Sequence, residues 1–134
     1  MSVIEEMLNA YPKPLAAADT AALVECIAAC LECSQACTAC ADACLAEDMV
    51  SDLVACIRTD LGCADICATT ATILSRQTAP DAATMRAIVE ACRTACSSCA
   101  EECEKHSHMH EHCRVCAEAC RRCEKACADL LATL

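Results

Sequence analysis

The sequence predicts an all-α protein: an antiparallel up-down-up-down four-helix bundle with a short N-terminal helix and a core lined by cysteine. Three observations predict it. Eighteen of the 134 residues are Cys, and within each segment they recur almost only at steps of three and four. Residues at those steps share one face of an α-helix, so each run is a stripe of thiols. Four segments carry such a stripe, separated by short breaks that hold Pro, Asp or His. The composition agrees, since 29 Ala, one Gly and no Phe or Trp make a chain that favours helix and lacks an aromatic core.

Residues 2–10 (SVIEEMLNA) read as a short amphipathic helix ended by Tyr11-Pro12-Lys13-Pro14. A first long helix over about 19–46, capped by Asp19 or Thr20, carries Cys26, Cys30, Cys33, Cys37, Cys40 and Cys44. Glu47-Asp48 marks a tight turn, and Ser51 or Asp52 is placed to cap the next helix, about 50–76. That helix carries Cys56, Cys63 and Cys67, with the lone Gly62 inside it and Asp60 on the missing beat of the stripe. Thr78-Ala79-Pro80-Asp81 is the clearest break, with Pro where a new helix starts. The third helix, about 81–105, holds Cys92, Cys96, Cys99 and Cys103. The fourth, about 110–132, begins near Met109 or Glu111 and holds Cys113, Cys116, Cys120, Cys123 and Cys127. Short connections make successive helices antiparallel, and residues 1–134 read as one domain.

Keeping the phase of the stripes extends the seam beyond the cysteines. Towards one end it meets Leu23, Thr70, Leu74, Val89, Met85, Leu130 and Leu134. Towards the other it meets Met49, Leu53, His106 and Met109. The bundle is therefore expected to be an apolar plug at one end and a Met- and His-bearing mouth at the other.

Eighteen neutral thiols can pack as small hydrophobes, so a core exists before any metal binds. The same stripe offers eight pairs at i and i+4, each with Cβ atoms ~5–6 Å apart, close enough for two thiolates to converge on one ion. Thiolate is soft and selects Cu(I), zinc or iron–sulfur clusters. A continuous helical stripe is poorly shaped for closed tetrahedral zinc, and iron–sulfur spacings are absent. Cu(I) accepts two or three thiolates and tolerates bridging sulfurs. One singly charged ion per thiolate also leaves a dry interior near neutral, where uncompensated charge would be costly. Isolated pairs would hold ~9 ions, and shared sulfurs roughly one per Cys.

Secondary candidates lie beside the stripes. Asp60 is expected in the seam as an oxygen ligand or hydrogen-bond acceptor, the alternative being a helix rotation that exposes it. His106, His108, His110 and His112 alternate along the chain, so they straddle a loop next to Cys103 and Cys113, where short His-rich tracts bind metal. Met49 and Met109 are thioether candidates at the mouth, or simple gap fillers. Arg114, Arg121, Arg122 and Lys125 read as a solvated face of the last helix, with pairs such as Glu118–Arg122.

The net charge of −10 speaks against nucleic acid, whose phosphates require a basic face. Glu5 and Glu6 stand where a signal peptide carries Lys or Arg, and no run approaches the ~20 apolar residues of a membrane span. The expected compartment is the cytosol, where thiols stay reduced, with no membrane partner. A disulfide scaffold fits poorly, because bridges within one helical turn would join nothing distant. Neither a thioredoxin-like βαβ context around a CxxC step nor a Ser/His/Asp or paired-carboxylate site is present, so no enzyme is expected.

The Cys stripes on four helices, the tract from His106 to His112 and the in-seam Asp60 together make the chain resemble the bacterial cysteine-rich copper storage proteins, over essentially its whole length. The resemblance implies a bundle whose lumen binds many Cu(I) ions, copper entering at the His- and Met-bearing end, and a homotetramer of bundles. It also implies the cytosolic branch of the family, serving copper storage, homeostasis and detoxification. A copper chaperone is the partner class that delivery would need, and no residue names one. Two other classes remain open at this point: a general zinc or heavy-metal thiolate buffer, and a thiol redox or structural bundle.

Overall fold

The computed structural model describes residues 2–134. It contains α1 (Val3–Asn9), α2 (Thr20–Leu45), a 3-10 turn (Val50–Leu53), α3 (Val54–Ser75), α4 (Ala82–Glu104) and α5 (Glu111–Leu131), with no strand among the described residues. Side chains start three of these helices. Ser2 Oγ accepts from the Glu5 amide at 3.2 Å, and Asp19 Oδ1 accepts from the Ala22 amide at 3.0 Å. Asp81 accepts from both the amide and the hydroxyl of Thr84. Each removes an orphan donor of a first turn.

The second long helix departs from expectation. Neither Ser51 nor Asp52 caps it; residues 50–53 wind as a 3-10 turn instead, whose Asp52 amide bonds the Met49 carbonyl at 3.0 Å. That turn runs directly into α3. Among the α3–α4 residues, Ala79 has φ of 48°, a left-handed conformation that a residue with a Cβ rarely adopts.

The four long helices form a ring in which each packs on its chain neighbours and α2 closes against α5, the arrangement of an up-down-up-down bundle. Every Cys is buried, none above 1% exposed. Buried Ala29, Ala41, Ala64, Ala100, Ala117 and Ala126 flank the stripes, and such small side chains let the helices approach closely. By length and composition α2 is apolar enough to cross a membrane, contrary to the sequence reading; Ala and Cys supply that character, and its Cys face lies in the core.

One end is plugged as the phase predicts, by buried Leu23, Thr70, Leu74, Met85, Val89 and Leu130. Leu134 is the exception at 40% exposed; Leu131 is buried instead, because α5 ends there. α1 lies on α2 and adds Leu8 to the core. The Tyr11 hydroxyl meets that of Thr78 at 3.0 Å, tying the α1 tail to the α3–α4 turn.

The basic face of α5 is partly a set of interhelical clamps. Arg122 pairs with Glu25 and Glu32 of α2, and Arg121 with Glu104 of α4 as well as Glu124. The expected Glu118–Arg122 pair gives way to Glu118–Arg114 at 2.7 Å, since Arg122 reaches across to the neighbouring helix.

Candidate metal centre

The thiols meet mainly across helices. Cys33 Sγ lies 3.7 Å from Cys120, 3.9 Å from Cys63 and 4.0 Å from Cys96. Cys67 lies 3.5 Å from Cys96, and Cys30 lies 3.6 Å from Cys123. Within one helix, Cys33–Cys37 and Cys63–Cys67 are each 3.8 Å apart. The eight intrahelical pairs are therefore only part of the design; helix packing assembles the ligand sets.

Those sets are groups of four whose sulfurs all lie within 4.8 Å of one another. Cys30, Cys92, Cys123 and Cys127 form one near the plug, and Cys40, Cys44, Cys56 and Cys113 form one at the mouth. Between them, groups share members: Cys33 and Cys63 belong to at least two, and so do Cys37 and Cys120. At a metal–sulfur bond of ~2.3 Å, sulfurs sharing one ion in a trigonal or tetrahedral set lie ~3.8–4.0 Å apart. The observed contacts already have that spacing, so metal can bind with little backbone movement.

Burial disfavours thiolates, and this dominates at Cys44, pushed up to about 11 by burial and then by neighbouring Cys40. S–H donors converging on one sulfur act oppositely. Hydrogen bonds with Cys127 and then Cys30 pull Cys26 down to about 5. The column is a network in which the loss of one proton is shared by several sulfurs.

Asp60 interrupts the α3 stripe and is wholly buried. Its Oδ1 accepts from the thiols of Cys99 at 3.0 Å, Cys116 at 3.3 Å and Cys103 at 3.4 Å, and Cys56 approaches Oδ2 at 3.9 Å. Burial first, then the nearby Cys116 and Cys99 sulfurs, push its carboxyl up to about 12. It is thus a neutral acid in the metal-free protein, satisfied by thiol donors rather than by a counter-charge.

At the mouth the His tract divides. His112 Nδ1 is 3.4 Å from Cys40 Sγ and 3.6 Å from Cys113 Sγ, while its Nε2 is 2.8 Å from Glu47 Oε2. His110 Nδ1 meets the same oxygen at 3.0 Å, and the two rings stack with centroids 5.5 Å apart. Burial works against charge on His112, but hydrogen bonds to Cys40 and Glu47 outweigh it and leave its pKa above the ordinary value. The bond to His112 holds the Glu47 carboxyl below its usual range. His106 lies 3.7 Å from Glu102, and His108 is exposed. Met49 and Met109 are 59% and 68% exposed, outside the thiol layer. Glu47 is the residue that sequence reasoning missed, having read it only as a turn. Its place on the α2–α3 connection, at the same end as the His tract, was the available signal.

The sequence model of one family, described as copper storage protein, matches residues 19–132. No curated protein sequence matches the chain. Among solved structures, the copper storage protein Ccsp of Streptomyces lividans, loaded with 10 copper equivalents, is 56% identical over 98% of this chain and 100% of that one, with a TM-score of 0.97. A second Streptomyces lividans structure, of a cytosolic copper storage protein with five coppers, is 60% identical over 85% and 95%, TM-score 0.84. The Cu(I)-bound copper storage protein BsCsp3 is 38% identical over 79% and 94%, TM-score 0.71.

Proposed function

The chain belongs to the copper storage protein family, and on that premise we propose that its eighteen cysteines are the ligands of a single column of Cu(I) ions, held on the order of one per thiolate. The observation that carries this reading is the sharing of Cys33, Cys37, Cys63 and Cys120 between adjoining four-sulfur groups. Shared sulfurs suit bridging thiolates. Each Cu(I) taken up replaces one thiol proton, which leaves as H⁺, so a filled column stays near neutral. Isolated four-thiolate zinc sites would fit the same distances, but each would carry two net negative charges in a dry interior.

Within the column, Asp60 serves as a hydrogen-bond acceptor for thiols not yet metallated. His112 supplies a nitrogen at the mouth. His106, His108, His110, Met49 and Met109 sit on the two connections at that end and offer transient contacts to incoming copper. The role is sequestration without catalysis, in the cytosol, as the description of the Streptomyces lividans relative supports. Assembly into a homotetramer rests on the family resemblance alone.

Anaerobic Cu(I) titration against a competing chelator tests the reading. Uptake should continue to ten or more equivalents, on the scale of roughly one per Cys. Saturation at one or two, or displacement of bound copper by stoichiometric zinc, would overturn it.

A further inference from the structure

The mouth contains a carboxylate that no ligand argument uses. Glu47 comes from the α2–α3 connection, whereas His110 and His112 come from the start of α5. One oxygen, Oε2, takes His112 Nε2 at 2.8 Å and His110 Nδ1 at 3.0 Å. The same His112 ring turns its other nitrogen to Cys40 and Cys113, whose sulfurs are 3.9 Å apart. One nitrogen and two sulfurs thus face a common point, and the bond at Nε2 helps to fix the direction of the ring. A histidine whose distal N–H is given to a carboxylate is a better-oriented and more basic metal ligand.

We propose that Glu47 is a positioning residue for copper loading: it takes the Nε2–H of His112 so that Nδ1 is presented to the mouth between Cys40 and Cys113. His110, bonded to the same oxygen and stacked on His112, keeps the carboxylate on the α5 side of the mouth. Glu47 binds no copper itself. The inference rests on the storage reading, since it concerns the first ions to arrive.

The test has an arm without copper. In the metal-free protein, the His112 Nε2–H should give a slowly exchanging side-chain signal by ¹⁵N-resolved NMR. Glu47→Ala should abolish that protection, and Glu47→Gln, whose amide oxygen still accepts, should restore it in part. In the copper arm, Glu47→Ala should weaken binding of the first equivalents by about 10–100-fold, the usual effect of removing a carboxylate behind a histidine ligand. Asp48→Asn, which removes an exposed charge from the same turn, should leave that step unchanged. In a His112→Ala background, Glu47→Ala should add nothing further, because the two act as one unit. An equal loss in that background would make Glu47 a simple attracting charge and overturn the proposal. So would an unprotected His112 Nε2–H in the parent, a result that leaves storage itself standing. A parent that saturates at one or two equivalents would overturn both.

Discussion

The two ends of the bundle are built from opposite materials. At one, Leu23, Leu74, Val89 and Leu130 close the tube and α1 lies alongside with Leu8. At the other, the last thiols touch an imidazole, and a carboxylate links two connections. Apolar burial gives the first end its hold on the helices. The second end has polar contacts that are weak individually and easily rearranged. On the proposed storage reading, the contrast would separate holding the fold from admitting the cargo and give the column one direction of filling.

The largest effect that tests this division should come from the plug. Leu74→Ala should cost about 2–5 kcal/mol of metal-free stability in urea unfolding, as for other buried leucines. Its initial copper uptake should match the parent's; a slowed first step would mean that the ends are coupled rather than divided.

Asp60 lies towards the mouth, and its effect depends on pH. An unfolded Asp titrates near ~3.9, whereas here the carboxyl is held to about 12. Between those values the unfolded chain has released a proton that the folded one keeps. The contribution is therefore complete below about pH 4 and declines as pH rises. The slope is at most ~1.4 kcal/mol per pH unit. Between about pH 5 and 7.5 the unfolding free energy of the reduced, metal-free parent should fall relative to that of Asp60→Asn, since the shifted thiols are common to both chains. A difference that does not change with pH would mean that water or a counter-charge reaches the seam.

The smallest effect lies between the ends. A Cβ built on Gly62 meets nothing within 4 Å, so no packing demands glycine there. Gly62→Ala should raise the metal-free stability by about 0.5–1 kcal/mol, read from the thermal midpoint, and leave copper capacity untouched. A loss of stability would point to a contact with another molecule on that face of α3.

Helix phase made much of this visible in advance. Steps of three and four placed the thiols on the inner face, Asp60 among them, and the plug residues beyond them. Phase does not encode the offset between helices, so which sulfurs group together emerged only from packing: Cys33 joins Cys120 on α5 and Cys96 on α4. Long side chains were illegible for a similar reason. Arg122 reaches Glu25 and Glu32 on another helix, a choice that i,i+4 reasoning cannot see. Glu47 was hidden because a turn residue carries no periodicity, and its partner lies 65 positions away.

The shared sulfurs have a further consequence. On the proposed storage reading, an ion beside Cys33 and Cys63 would pass to the next set by exchanging one thiolate at a time, without ever standing free. Transport along the axis would then resemble single-file movement on a track, where late arrivals push earlier ones inward and the last in are the first out. Such a store would need no second opening: it would fill and empty beside the same four cysteines, Cys40, Cys44, Cys56 and Cys113.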